Sequence, residues 1–184
     1  MDAIDTPHRA ADSAVPPAAD FDAFVRAEQA ALLRYALLLS GSRAHAEDLV
    51  QEVLTRMYPR WEETVRRPGS ISAYVRRAIT NEHLSWRRRW STRSTVLSAD
   101  LSAHDRPAAG TAWRPDDALW RSLHALPARQ RAAVVLRYYE GLADDEIAEV
   151  LQCRPGTVRS LVSRALAALR TRDDVHRAWE GDDA

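Results

Sequence analysis

The sequence predicts an all-α chain of two small helical domains, a helical bundle and a helix-turn-helix unit, joined by a flexible linker. Three observations carry this. Apolar residues recur at three- and four-residue intervals through most of the chain, strand-like alternation is almost absent, and residues 94–113 keep neither period. That stretch, "STVLSADLSAHDRPAAGTAW", mixes Ser, Ala, Pro and Gly in the manner of a linker. The expected organisation is a disordered segment at 1–19, a first domain at 20–93, the linker at 94–113, a second domain at 114–172 and an acidic tail at 173–184, read as a disordered end rather than a self-inhibitor.

Each element follows in order. Asp20 is placed to cap a helix starting at Phe21, with Phe24, Val25, Leu32, Tyr35 and Leu39 on its apolar face and Ser40-Gly41-Ser42 as its stop. The second helix has the stripe Ala46, Leu49, Val50, Val53, Leu54, Met57, Tyr58 and Trp61, which leaves Glu47, Asp48, Gln51, Glu52 and Thr55 toward water. That outer face is acidic. After "TVRRPGS", a third helix begins near Ser72 with Val75, Ala78, Ile79 and Trp86 inward and Arg76, Arg77, Asn81, Arg87 and Arg88 largely outward. In the second domain Asp116 and Asp117 favour a helix start, and Leu119, Trp120, Leu123 and Leu126 supply its apolar face. Pro127 then opens a helix that stops at Gly141. Two helices remain, Asp144 to Leu151 and Pro155 to about Thr171.

Charge is neutral overall, with 26 basic and 26 acidic residues, but it is segregated. Residues 64–93 carry +7 and residues 152–172 carry +5, set among acidic segments. Two separated basic surfaces are implied, although a solvated helix face would explain either one alone. Every one of the basic residues is arginine, the better side chain for bidentate phosphate and guanine contacts. No apolar run approaches the roughly 20 residues of a membrane span and the first residues do not read as a signal peptide, so no membrane insertion and a cytoplasmic location are expected. The single cysteine, Cys153, is expected to pack.

A short helix, a tight turn and a longer helix with arginines at its front describe a helix-turn-helix whose second helix enters the DNA major groove. Pro155 suits the first helical position, and Val158, Leu161 and Val162 face inward. Thr157, Arg159, Ser160, Ser163 and Arg164 are left for bases and phosphates. A plain helical hairpin would not need this acid-free front. Arg154 at a helix N-terminus opposes the helix dipole unless a phosphate is present.

The stretch "LPARQRAAVVLRYYEGLADDEIAEVLQCRPGTVRSLVSRALAAL" resembles region four of a bacterial extracytoplasmic-function sigma factor of the sigma-70 family, SigE-like in type. "AEDLVQEVLTRMYPRW" resembles the family's core-polymerase-binding helix and "SAYVRRAITNEHLSWRRR" its promoter-melting helix, so the likeness spans most of the chain. It implies that Asp48, Gln51 and Glu52 dock on core RNA polymerase. It implies that Arg76, Arg77, Asn81, Arg87 and Arg88 meet the minus-ten element, with the loop Thr64–Ser70 holding a flipped base. Tyr74, Trp86 or Trp90 could stack on that base, a role that competes with core packing. Arg154, Thr157, Arg159, Ser160 and Arg164 correspond to residues that face the minus-35 element. The chain departs from the family at Tyr74, commonly Trp; at Ser85, commonly acidic; at Gln152, commonly Gly; and at Arg154, commonly a hydroxyl cap.

The implied partners are bacterial core RNA polymerase and promoter DNA, with an anti-sigma factor as a further one, and no cofactor. A stand-alone helix-turn-helix transcriptional regulator is the alternative, though it leaves the first domain unexplained. An enzyme is the third class. Glu47, Asp48 and Glu52 lack the partner Glu-x-x-His motifs of a di-iron bundle, and His8, His45, His83, His104, His124 and His176 are scattered without metal spacing. No catalysis is expected.

Overall fold

The computed structural model describes residues 21–67, 69–94 and 117–180, and its regular elements are all helical. The N-terminal segment to residue 20 and nearly all of the expected linker lie outside these residues. In the first domain α1 (Phe21–Ser40) and α2 (Arg43–Met57) form a hairpin about Gly41, which takes φ +77°. Ser42 caps α2 by accepting from the His45 N–H at 3.4 Å. A 3₁₀ turn, Tyr58–Arg60, leads into α3 (Trp61–Val65), and α4 (Ile71–Ser94) closes the bundle. Leu32, Tyr35, Ala36 and Leu39 of α1 share one buried cluster with Val50 and Val53 of α2 and Val75 and Ile79 of α4.

One residue of the expected α2 stripe falls on the wrong side. Pro59 tightens the chain into the 3₁₀ turn and shifts the helical phase, so Tyr58 is 63% exposed while Trp61 is buried. Tyr58 instead meets Phe21 edge-on, with ring centroids 5.1 Å apart.

The second domain holds α5 (Asp117–His124), α6 (Ala128–Val134), α7 (Asp144–Leu151) and α8 (Pro155–Glu180). A π turn, Val135–Tyr139, extends α6, with the Glu140 N–H bonded to the Val135 carbonyl oxygen at 3.2 Å. The backbone of α8 continues past the expected end near Thr171, because the sequence holds neither Gly nor Pro from Thr157 to Glu180.

The larger difference from the sequence reading is that the two domains touch. The main buried cluster runs without a break from α1, α2 and α4 into Leu136, Ile147, Leu151 and Val158 of the second domain. Leu38 of α1 also packs against a satellite cluster of Leu123, Leu126, Val134 and Ala165.

Candidate nucleic-acid interface

Gln152, Cys153 and Arg154 separate α7 from α8. Gln152 adopts φ 49°, ψ 56°, the left-handed geometry that Gly takes freely, and the Cys153 N–H closes the end of α7 on the Ala148 carbonyl oxygen at 3.0 Å. Arg129 adds a bond to the Leu151 carbonyl oxygen at 2.8 Å. At the front of α7 the Glu146 carboxylate accepts from the Ala143 N–H at 2.9 Å. Val158 and Leu161 are buried and hold α8 against the domain. Arg154, Thr157, Arg159, Ser160 and Arg164 are all exposed on its other side. Arg159 lies 3.6 Å from Asp144, and Arg164 folds back on the Ser160 carbonyl oxygen at 3.1 Å.

The first basic block divides in two. Asn81, Arg87 and Arg88 are exposed on α4, as expected. Arg76 and Arg77 are drawn partly inward by carboxylates that the sequence order places far away. Arg76 lies 3.7 Å from Glu28 on α1 and 3.3 Å from Glu140 after the π turn, and Arg77 lies 3.8 Å from Glu146 on α7. Burial holds the Glu140 carboxyl above the ordinary carboxylate range, an effect opposed by Arg76. Tyr35 is buried and bonded to Thr80 at 2.6 Å, while the Thr80 hydroxyl donates to the Arg76 carbonyl oxygen at 3.0 Å. Among the aromatics, Trp86 packs on His45 with centroids 4.1 Å apart, whereas Tyr74 is 39% exposed beneath the Arg67 guanidinium. The side chain of Trp90 lies outside the described residues.

Asp48, Gln51 and Glu52 are exposed on one face of α2 and border an open cleft against Glu82, Trp86 and Arg89 of α4. Glu82 spans its base, accepting from Arg89 at 2.8 Å and from Arg56 at 2.9 Å. Those two bonds, Arg89 foremost, hold its carboxyl below the usual range despite burial. An acidic lip thus stands over a base whose carboxylate is neutralised by two arginines, and the sequence marked only the lip. No helix among the described residues is long and apolar enough to cross a membrane.

Family models match both halves of this architecture: "Sigma-70 region 2" over residues 24–93 and "Sigma-70, region 4" over residues 116–169. The chain is 37% identical over 153 residues to the RNA polymerase sigma-E factor of Streptomyces coelicolor, covering 82% of this chain and 84% of that one. The chain belongs to the sigma-70 family, among its extracytoplasmic-function sigma factors. It is also 34% identical to the sigma factor SigL of Mycobacterium tuberculosis, covering 88% of this chain and 93% of the relative. Among solved structures it resembles the sigma factor RpoE in complex with the anti-sigma factor NepR from Bartonella quintana. That match has a TM-score of 0.64 and 26% identity, covering 85% of this chain and 98% of the other. The match in region 2 excludes a stand-alone regulator.

Sequence reasoning missed the seam between the two regions of this sigma factor. His83 of α4 and Arg131 of α6 are 1% and 2% exposed. His124 of α5 lies against Gly41 in the turn between α1 and α2. A signal for His83 was present, since it continues the buried series Val75 and Ile79 at four-residue spacing.

Proposed function

We propose that this sigma factor binds core RNA polymerase through Asp48, Gln51 and Glu52 and directs initiation at promoters with two recognition elements. Arg76, Arg77, Asn81, Arg87 and Arg88 meet the minus-ten element, and Arg154, Thr157, Arg159, Ser160 and Arg164 meet the minus-35 element. The observation that carries the reading is the exposure of Arg154 just before α8 and of Thr157, Arg159, Ser160 and Arg164 on it, opposite buried Val158 and Leu161, with no acid in the helix's first turn. An anionic backbone supplies the charge that this helix N-terminus lacks. Its work is binding in the cytoplasm, with no catalytic step. A protein partner of the anti-sigma kind is part of the reading, because the Bartonella relative is held by one.

Arg76 and Arg77 are occupied by carboxylates when the regions are docked, so docking must loosen before they reach phosphate. Core polymerase would supply a rigid surface that holds both regions on DNA at once, giving avidity without new base contacts. The test is transcription by purified core polymerase on promoter DNA. Reversing charge in a D48R/E52R double variant is expected to abolish core binding and transcription while circular dichroism is unchanged. Specific operator binding by the free chain, unaffected by those reversals, would overturn the reading.

A further inference from the structure

Three imidazoles and a guanidinium meet where region 4 lies on region 2. The His45 ring of α2 stands 5.6 Å from that of His83 on α4, and His83 and Arg131 are almost wholly buried. His124 reaches across so closely that a β-carbon on Gly41 would fall 2.5 Å from its Nδ1. Arg131 donates to the His124 carbonyl oxygen at 3.0 Å, which fixes a permanent positive charge in the group. Neither ring nitrogen of His83 or of His124 has a hydrogen-bond partner among the described residues. The charged and titratable groups that act on His83 are Arg131, His45, Arg87 and His124, and the one that acts on His124 is Arg131. Among the described residues no carboxylate acts on either ring.

We propose that this seam is a proton-operated latch: with His83 and His124 neutral, region 4 stays docked over Arg76 and Arg77, and protonation of the two imidazoles drives the regions apart. The benefit to promoter recognition rests on the role proposed above for Arg76 and Arg77, whereas the opening itself does not. A cation formed on either ring would be buried, would find no hydrogen-bond acceptor for its ring nitrogens among the described residues, and would have the Arg131 guanidinium acting against it. Burial first and Arg131 second push both imidazoles down from about 6.5 to about 3. The docked form therefore takes up no proton in the mildly acidic range, while a form that exposes the rings does. Each unit of pH below the exposed value favours the open form about tenfold per histidine.

The carboxylate in the same seam works the other way. Burial raises Glu140, so its proton uptake on acidification favours the docked form and cannot produce the opening. The arginine pairs of Arg76 and Arg77 are consequences of docking in this scheme, and the histidines are its trigger.

The experiment is small-angle X-ray scattering with parallel circular dichroism on the full chain from about pH 8 to about pH 5.5, the range that brackets the exposed imidazole value. The radius of gyration is expected to grow across this range at constant helix content, the opening equilibrium shifting about a hundredfold for two histidines by about pH 5.5. In the double variant H83Q/H124Q the chain should stay compact throughout. Should that variant misfold, His124→Gln alone removes one of the two protons and should halve the steepness of the transition. A constant radius in the unsubstituted chain, helix loss coincident with expansion, or an unchanged transition in the variants would each overturn the latch. Scattering needs no DNA, so its outcome is separate from whether Arg76→Ala and Arg77→Ala impair promoter-directed transcription.

Discussion

The Glu140 carboxylate of region 4 sits 3.3 Å from the Arg76 guanidinium of region 2, although 64 residues separate them in the chain. Glu140 is the less exposed of the two, and its raised pKa says that desolvation outweighs the attraction of Arg76. Glu140→Gln is therefore expected to be close to neutral in urea unfolding, within about 0.5 kcal/mol. Arg76→Ala leaves Glu28 and Glu140 without their shared cation and should cost about 2–3 kcal/mol at neutral pH. Part of that loss should be recovered on acidification, as the stranded carboxyls take up protons.

The histidines set the opposite slope. Their values in the docked form lie far below 6.5, so the unfolded chain binds more protons and the stability of the docked form falls as pH drops below about 6.5. Between pH 7.5 and pH 5.5 the docked form should lose about 1.4 kcal/mol per histidine against any form that exposes the rings, a loss read in urea unfolding until the regions open, and it should vanish above pH 7.5. Glu82, held low by Arg89 and Arg56, adds a second loss only below its ordinary value of 4.5.

Two glycines separate backbone strain from crowding. Gly41 and Gly141 have φ of +77° and +69°, but a β-carbon at Gly141 meets nothing within 4 Å whereas one at Gly41 meets the His124 ring. Gly141→Ala should cost about 1–2 kcal/mol from the left-handed backbone alone. Gly41→Ala should cost more, and scattering should show the two regions displaced even at neutral pH.

At Gln152 the same strain can be relieved. Its φ of 49° is forced by the tight turn into α8. Gln152→Gly is expected to stabilise the chain by about 0.5–1 kcal/mol, read as a higher urea midpoint at unchanged slope.

On α8, Arg159 and Arg164 differ in the contacts they would give up to reach DNA. Arg159 is 68% exposed beside Asp144, a pair of small worth, and Arg164 bonds to its own helix. In the assembled holoenzyme, alanine at a base-reading arginine should cost about 1–3 kcal/mol at one promoter position. Alanine at a phosphate-bound arginine should weaken all promoters alike and flatten the salt dependence. Promoter-variant transcription assays distinguish the two.

The helix-turn-helix was legible almost to the residue because its signals are local. Pro155 can begin a helix, the stripe from Ile147 to Leu161 has the right period, and only a left-handed residue at Gln152 joins the two helices so tightly. The acidic face of α2 was legible for the same reason. Tyr58 misled because periodicity runs straight through Pro59 while the backbone does not. The seam was illegible because it depends on which finished surface meets which. Arg76 and Arg77 read as outward charges on α4, since nothing near them in sequence names Glu140 or Glu146 as partners. The histidines were weighed only as metal ligands, and the buried spacing of His83 went unused.

Leu38 reaches from region 2 into Leu123, Leu126, Val134 and Ala165 of region 4, so part of what holds the regions together is apolar. Attraction of that kind is entropic near room temperature and fades on cooling, and separating such surfaces raises the heat capacity. The grip of one region on the other is thus thermally graded as well as chemically set. At fixed pH the apolar share of that grip is weaker in a chilled cell than in a warm one.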